Sequence, residues 1–306
     1  MTNVSVAYRN PKYIADSIFP IVPVVKQSGI IPQYPESHWF RDEARLRAPG
    51  SRSQGGGYAV DTTLKYFCDR YSYRREVDDE IRDNADAPFD MDREASEFAT
   101  DRLLMRRERA MAAGFFTTGI WGTDKTGVTD FTQWSDYANS QPLVDLTTYR
   151  DAMEGAIALE PNTLVLGKQV WVQLKFHPDV VDAVKYTQIG VGSPELVATL
   201  TEFDPSRLLI GRSLYTTSPE GTAEASVTYT RIWGKNVLLA YVAERPALYT
   251  VSAGYTFTWA RVANSIQYIK RMRDEEREID IFEANSYYAQ TKIAAAAGYF
   301  LSSAVA

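Results

Sequence analysis

The side chains able to do chemistry are few and scattered along the 306 residues. There are two histidines, His38 and His177, and one cysteine, Cys68. The histidines form no HExxH pair, and with a single cysteine no closed zinc site of His and Cys is available. His38 lies between Ser37 and Trp39; His177 precedes Pro178 and reads as a cap or packing residue at a helix start. Cys68 falls on the apolar side of an alternating run, where a small buried hydrophobe is expected. A Cys68–His dyad would need a tertiary meeting that no spacing announces. No GxSxG elbow occurs. Gly55, Gly56 and Gly57 lack a following Lys-Ser/Thr and lead toward a strand, so they form no phosphate loop and suit a pliant tip. Gly190-Val191-Gly192-Ser193 could seat an anion at a helix start, though an ordinary loop with an N-cap serine explains it as well. The carboxylates Asp78, Asp79, Glu80, Asp83, Asp86 and Asp90 are dense but lack the spaced DxDxDG order of a calcium loop. They read as a solvated acidic surface, or as partners for Arg47, Arg52, Arg70, Arg74 or Arg75 of a neighbouring copy. The alternating Tyr255, Phe257 and Trp259 read as a half-buried strand face sooner than as a ligand platform. No catalytic, cofactor-binding or metal-ligating residue is assigned.

Composition narrows the function classes. Hydrophobic residues make up 45% and charged residues 24%, so a packed core is affordable. The net charge of −6 (33 basic, 39 acidic) disfavours direct nucleic-acid binding. A single cysteine excludes an intramolecular disulfide. The N-terminus lacks the layout of a signal peptide, which leaves the acceptor-like Asn3-Val4-Ser5 without a secretory route. The apolar stretch Ile293 to Leu301 is too short to span a bilayer. The 19 tyrosines suit surfaces that are apolar yet partly wet.

The elements that would position these residues point to assembly. Residues 1–35 carry Pro11, Pro20, Pro23, Pro32 and Pro35 among Ile14, Ile18, Phe19, Ile21, Val22, Val24 and Val25. Such spacing forbids a long helix and favours an extended arm, too apolar to be a solvated tail. The arm is expected to lie on another surface. Glu36 to Arg41 reads as a short strand, residues 50–57 as a tip, and Tyr58 to Tyr73 as a long alternating strand with Tyr58, Val60, Leu64, Tyr66 and Cys68 on one face. A lone two-stranded ribbon is marginal in water, so a neighbouring copy is expected to cover it. A helix is predicted from about Asp90 to Ala113, with Met91, Ala95, Phe98, Ala99 and Met105 on one side and Gly114 as its stop. Further helices are predicted over 146–159, 168–176, 178–186 and 194–203, and strands over 163–167, 207–217, 226–233, 236–242, 255–259, 266–272 and 278–283.

Three stretches, in this order, resemble the Hong Kong 97-type major capsid proteins of tailed bacteriophages. They are Ala15 to Val24; Pro161 to Gly167 with Val170, Trp171, Leu174, His177 and Pro178; and Trp233-Gly234 with Val237 to Val242, followed by Tyr255 to Trp259. The resemblance implies an α+β fold with an N-terminal arm (1–35), an extended loop (36–80), a peripheral domain with a long spine helix (81–159 and 251–306) and an axial α/β domain (160–250). It implies a structural virion protein, not an enzyme, made in the host cytoplasm. Its copies would form hexamers and pentamers of an icosahedral shell enclosing double-stranded DNA, without cofactor or membrane. A separate scaffolding protein, or else a fused scaffold segment removed by cleavage, is expected, with a portal and a decoration protein as the further partners the resemblance suggests. No motif assigns the lysine–asparagine cross-link of some members. Two alternatives remain: an encapsulin-type compartment shell, and a carboxylate-dependent metal hydrolase using residues 78–94.

Overall fold

The computed structural model describes residues 10, 12–85, 89–184, 193–247, 249–260 and 267–306. The expectations for Asn3-Val4-Ser5, Asp86 and Gly190 to Gly192 lie outside the described residues. In chain order the N-terminal part holds α1 (Ala15–Ile18), β1 (Ile21–Val24), β2 (Ser28–Ile30), α2 (Glu36–Trp39), β3 (Lys65–Phe67), β4 (Asp69–Asp78) and α3 (Asp79–Asp83). The middle holds α4 (Met91–Phe115), β5 (Thr123–Thr126), α5 (Pro142–Ile157), β6 (Thr163–Gly167), α6 (Lys168–Leu174), α7 (Pro178–Val184) and α8 (Pro194–Leu200). The C-terminal part adds β7 (Leu208–Gly211), β8 (Leu214–Thr216), β9 (Tyr229–Arg231), β10 (Val237–Ala240), β11 (Gly254–Trp259), β12 (Gln267–Asp274), β13 (Ile279–Lys292) and β14 (Gly298–Ser302).

Two five-stranded sheets carry the molecule. The first is built on β13. Its first half is flanked by β12 and β4, both antiparallel; its second half pairs with β11. Strand β1 then pairs parallel with β11, setting Ile21 opposite Thr256 and Val24 opposite Trp259. Helix α4 covers one face of this sheet. Val77 and Phe282 pack on Ala95, and Ala284 packs on Ala99 and Leu103, with Tyr71 alongside. Cys68, Tyr255, Phe257 and Tyr287 form a separate cluster, joined by Tyr66 and Trp259. The second sheet runs β5-β14-β10-β6-β7. Strands β6 and β10 are buried throughout, as an apolar run of four to five residues between layers requires. The sheet draws β5 and β14 from stretches outside 160–250 and joins them to strands within it.

Helix α4 begins on Asp90, whose carboxylate accepts from Arg93 N at 3.0 Å, and acidic residues occupy its first turn. It runs through the expected stop at Gly114 to Phe115, with Phe116 as its cap. Its buried face differs from the predicted stripe. Phe98 remains 38% exposed, while Ala95, Ala99, Leu103, Arg107, Glu108, Met111 and Ala112 are buried. The buried line follows steps of four residues and winds around the helix. It faces the first sheet at the N-terminal end and the N-terminal arm and second sheet at the other.

Three further expectations fail for physical reasons. Glu36 to Trp39 forms one helical turn and not a strand. Residues 58–64 carry no strand beyond one bridge between Gln33 and Asp61. Strand β3 pairs instead with β2, so the apolar alternation of 58–68 finds a partner only at its end, within the chain. The N-terminal arm is also docked at home. Ile14, Ala15, Ile18 and Phe19 are buried in the subunit's own main core.

Candidate assembly interface

The arm is seated by a buried polar hub that sequence reading did not find. Glu108 is fully buried on α4. Its Oε2 accepts from Ile14 N at 3.0 Å and Ala15 N at 2.8 Å, while Oε1 accepts from Trp233 Nε1 at 2.7 Å and Ser213 Oγ at 3.1 Å. Burial pushes the carboxyl above the usual glutamate range, against the pull of these donors. One side chain thereby ties the arm, the spine helix and the approach to β8 and to β10 together. Next to it Arg107, 2% exposed, donates to Asp16 at 2.5 Å. The only sequence signal was an acid inside Arg106-Arg107-Glu108-Arg109, which looks like an ordinary charged helix face.

The extended stretch after residue 33 is held only at its base. Gln33 and Asp61 exchange backbone hydrogen bonds at 2.8 Å each, and His38 Nδ1 accepts from Ala59 N at 3.0 Å. Tyr34, Trp39 and Tyr58 gather with Tyr249 at ring-centroid distances of 5.0 to 6.1 Å. Tyr249 itself has a positive φ of 63°, a strained setting for a tyrosine, and comes from a loop some 190 residues away in sequence by position number. The rings stay wet: Trp39 is 55% exposed, Tyr58 58% and Tyr249 63%. Farther out, one turn is closed by Ser51 N donating to Ala48 O at 3.1 Å and by Arg47 Nε donating to Ser51 O at 2.6 Å, with Gly50 at φ +79°. Leu46 is fully exposed, and a Cβ added at Gly55 or Gly57 would meet nothing. With Trp39, Phe40 and Tyr58 also exposed, the excursion carries several large apolar side chains open to solvent.

The chemically capable side chains occupy structural positions. Burial pushes the Cys68 thiol up to about 11, which keeps it protonated, and its Sγ lies 3.6 Å from Phe257 O. His38 stands apart at the base of the excursion. His177 is buried, with Nε2 2.9 Å from Ser140 Oγ and Nδ1 3.8 Å from Asp179 Oδ2, an outline resembling a catalytic triad. The hydrogen bonds assign another role. His177 Nδ1 accepts from Asp179 N at 3.2 Å, so Nε2 carries the proton and donates to Ser140 Oγ, which in turn donates to Asp136 O at 2.6 Å. An imidazole that already holds its proton toward the hydroxyl cannot take one from it. Burial also depresses the pKa of His177 and keeps the ring neutral. Ser193 caps α8 by accepting from Leu196 N at 3.3 Å.

Part of the acidic run is engaged inside the chain. Asp78 caps α3 through Glu80 N at 2.8 Å, and Asp90 caps α4. Asp79 meets Arg273 at 2.6 Å and Arg82 at 2.9 Å. Asp280 meets Arg82 at 2.6 Å and Arg271 at 2.7 Å. Contact with Arg273 and Arg271 respectively holds the carboxyls of Asp79 and Asp280 below their usual range. Arg70 bonds Glu283 and Asn285, and Arg74 lies 3.4 Å from Glu76. Among the described residues no group of three His, Cys, Asp or Glu is placed to hold a metal ion, and no helix is long and apolar enough to cross a membrane.

No protein-family model matches the chain. It is 24% identical over 310 residues to the major capsid protein of Burkholderia phage BcepMu, covering 99% of this chain and 94% of that protein. It is 27% identical over 273 residues to the major capsid protein of Pseudomonas phage JBD67, covering 87% and 84%. Among solved structures, a phage-related protein of Bordetella bronchiseptica RB50 aligns with a TM-score of 0.74 at 19% identity over 97% of this chain and 94% of that one. The capsid of cyanophage P-SCSP1u aligns at 0.68 and 11% identity over 98% and 90%. The SrpI encapsulin of Synechococcus elongatus aligns at 0.53 and 10% over 98% and 92%. The chain thus has the Hong Kong 97-type fold, and its relatives in sequence are the major capsid proteins of phages.

Proposed function

We propose that this chain is a major capsid subunit whose copies form the hexamers and pentamers of an icosahedral shell around double-stranded DNA, acting by assembly and not by catalysis. The observation that carries the reading is full-length similarity to phage major capsid proteins, joined to an excursion over residues 34–64 whose apolar side chains are uncovered in the single subunit. Covering one large apolar side chain contributes about 1.5–3 kcal/mol gross. With Trp39, Phe40, Leu46 and Tyr58 all exposed, the gross gain per contact is several kcal/mol, much of it offset by ordering the excursion. Contacts that are individually weak and repeated around a closed surface give a particle that can correct errors while it forms.

Within that reading, the arm, the excursion and the spine helix α4 keep the roles expected of residues 1–35, 36–80 and the peripheral domain. The axial domain, centred on 160–250, takes in β5 and β14 as sheet neighbours. Scaffolding, portal and decoration proteins are partners of the assembled particle, which is the virion. An encapsulin-type shell is the second reading; it has support from likeness of fold alone, at a TM-score of 0.53. Deleting residues 47–56 tests the assembly role. The subunit should keep its thermal midpoint, because those residues pack on nothing, yet give no closed shells in electron micrographs. Normal shells from that variant would refute the role of the excursion.

A further inference from the structure

Four cations converge at one end of the second sheet without a counter-charge. The parallel register of β6 and β7 sets Gly167 beside Gly211, so Lys168 and Arg212 leave the two strands side by side. The antiparallel register of β8 and β9 sets Arg231 opposite Leu214, two residues beyond Arg212. Lys175 stands seven residues after Lys168, two turns along the same side of α6. Burial, and after it the nearness of Arg212, Lys175 and Arg231, pushes the Lys168 ammonium below the usual lysine range. Among the described residues none of the four shares a hydrogen bond or ion pair with a carboxylate.

The complementary charge is present in the same part of the chain. Asp151 and Glu154 are exposed on α5 and Glu195 is exposed on α8, and none of them is ion-paired among the described residues. The whole chain is acidic by 6 charges, so an unopposed basic cluster is a local exception to its surface. A subunit that carries an unpaired positive patch and unpaired negative groups can join copies head to tail, and head-to-tail contacts close into rings when the rotation allows.

We propose that Lys168, Lys175, Arg212 and Arg231 are the basic half of a contact between copies of this chain, received by exposed carboxylates of the next copy, with Asp151, Glu154 and Glu195 the candidates. The proposal rests on the capsid reading and adds to it the charge pairing by which neighbours within a ring recognise one another.

Shells assembled from an equal mixture of unlabelled and nitrogen-15-labelled subunits test it. A carbodiimide joins an ammonium to a carboxylate only where the two touch. The expected product is a mixed-isotope peptide pair linking Lys168 or Lys175 to an Asp or Glu. The double variant K168Q/R212Q should keep the thermal midpoint of the subunit and need at least tenfold more protein to assemble. Links found only within one isotope would overturn the pairing. So would lysines that stay open to acetylation in empty shells and become protected only in DNA-filled ones, a result that would assign the patch to a phosphate backbone. Unchanged assembly of K168Q/R212Q would overturn it as well. A preparation that never forms shells would defeat the capsid reading itself, and this proposal with it.

Discussion

Phe19 offers the sharpest test of where the N-terminal arm belongs. Its ring is fully buried, 4.8 Å from the Phe115 centroid and 6.4 Å from that of Trp121, both edge-on. Gly254, the first residue of β11, leaves room for it: a Cβ there would overlap the ring edge and stand 2.8 Å from the Thr291 carbonyl oxygen. Truncating a buried phenylalanine to alanine costs about 3–5 kcal/mol, the transfer loss plus the cavity. With about 2.1 cal/mol/K of unfolding entropy per residue over 306 residues, Phe19→Ala should lower the thermal midpoint of the soluble subunit by about 5–8 °C. G254A should also destabilise, by about 1–3 kcal/mol, through overpacking. The double variant should cost less than the two single losses together, because removing the ring relieves part of the Cβ clash, and contacting residues couple by about 0.5–3 kcal/mol. Scanning calorimetry of the dilute subunit and its three variants measures all of this. If the arm reached across to a neighbour, Phe19→Ala would leave the isolated subunit unchanged and weaken only assembly. A midpoint shift below about 1 °C, or strict additivity with G254A, would refute the docking described above.

Glu108→Ala leaves three donors, Ile14 N, Ala15 N and Trp233 Nε1, without an acceptor, while Ser213 Oγ keeps Lys12 O at 3.3 Å; at about 1–3 kcal/mol for a buried unsatisfied group, a loss of several kcal/mol in urea unfolding is expected, together with faster proteolysis near residue 14. Asp79 and Asp280 have carboxyls held low in the folded protein, so their ties to Arg273, Arg82 and Arg271 contribute above the ordinary carboxylate pKa of about 3.9 and are lost as pH falls through the lowered folded values; hydrogen exchange in the β12–β13 turn should rise there before the rest of the subunit unfolds. Cys68, with its folded pKa raised to about 11, should resist iodoacetamide at pH 8 and react on unfolding, and alkylation of the native subunit at the rate of a free thiol would contradict its burial.

Elements with a strong local signal were legible in the sequence. The apolar run Thr163–Gly167, the helix starting at Asp90 with its acidic first turn, and the alternating Tyr255 to Trp259 all appear within a few residues of where they were expected. The core pattern of α4 was misread because the helix faces different partners at its two ends, and a single amphipathic stripe cannot describe that. The one-turn helix at Glu36 and the unpaired 58–64 were misread because β propensity speaks to a strand's fitness for pairing and says nothing of whether a partner lies within reach. The arm's residues were correctly read as seeking an apolar surface, but which surface depends on Glu108 and Gly254, more than 90 and 230 residues away, and nothing local records that. Two histidines and one cysteine gave the sequence little to build a catalytic constellation from, whereas the neutral, hydrogen-bonded state of His177 needed three-dimensional partners.

The order of strands in the second sheet has a bearing on synthesis. Strand β14, the last in the chain, is inserted between β5 and β10, and Ala304 and Val305 behind it are buried. Until β14 has left the ribosome, that slot is open and the main core is missing its final layer. The first sheet is likewise incomplete until β13 emerges, so a nascent chain holds apolar edges in the open for most of its translation. A polypeptide that has not yet made β14 therefore lacks the rigid body on which copies could dock, and only chains in which that strand has been laid in are fit to join a growing particle.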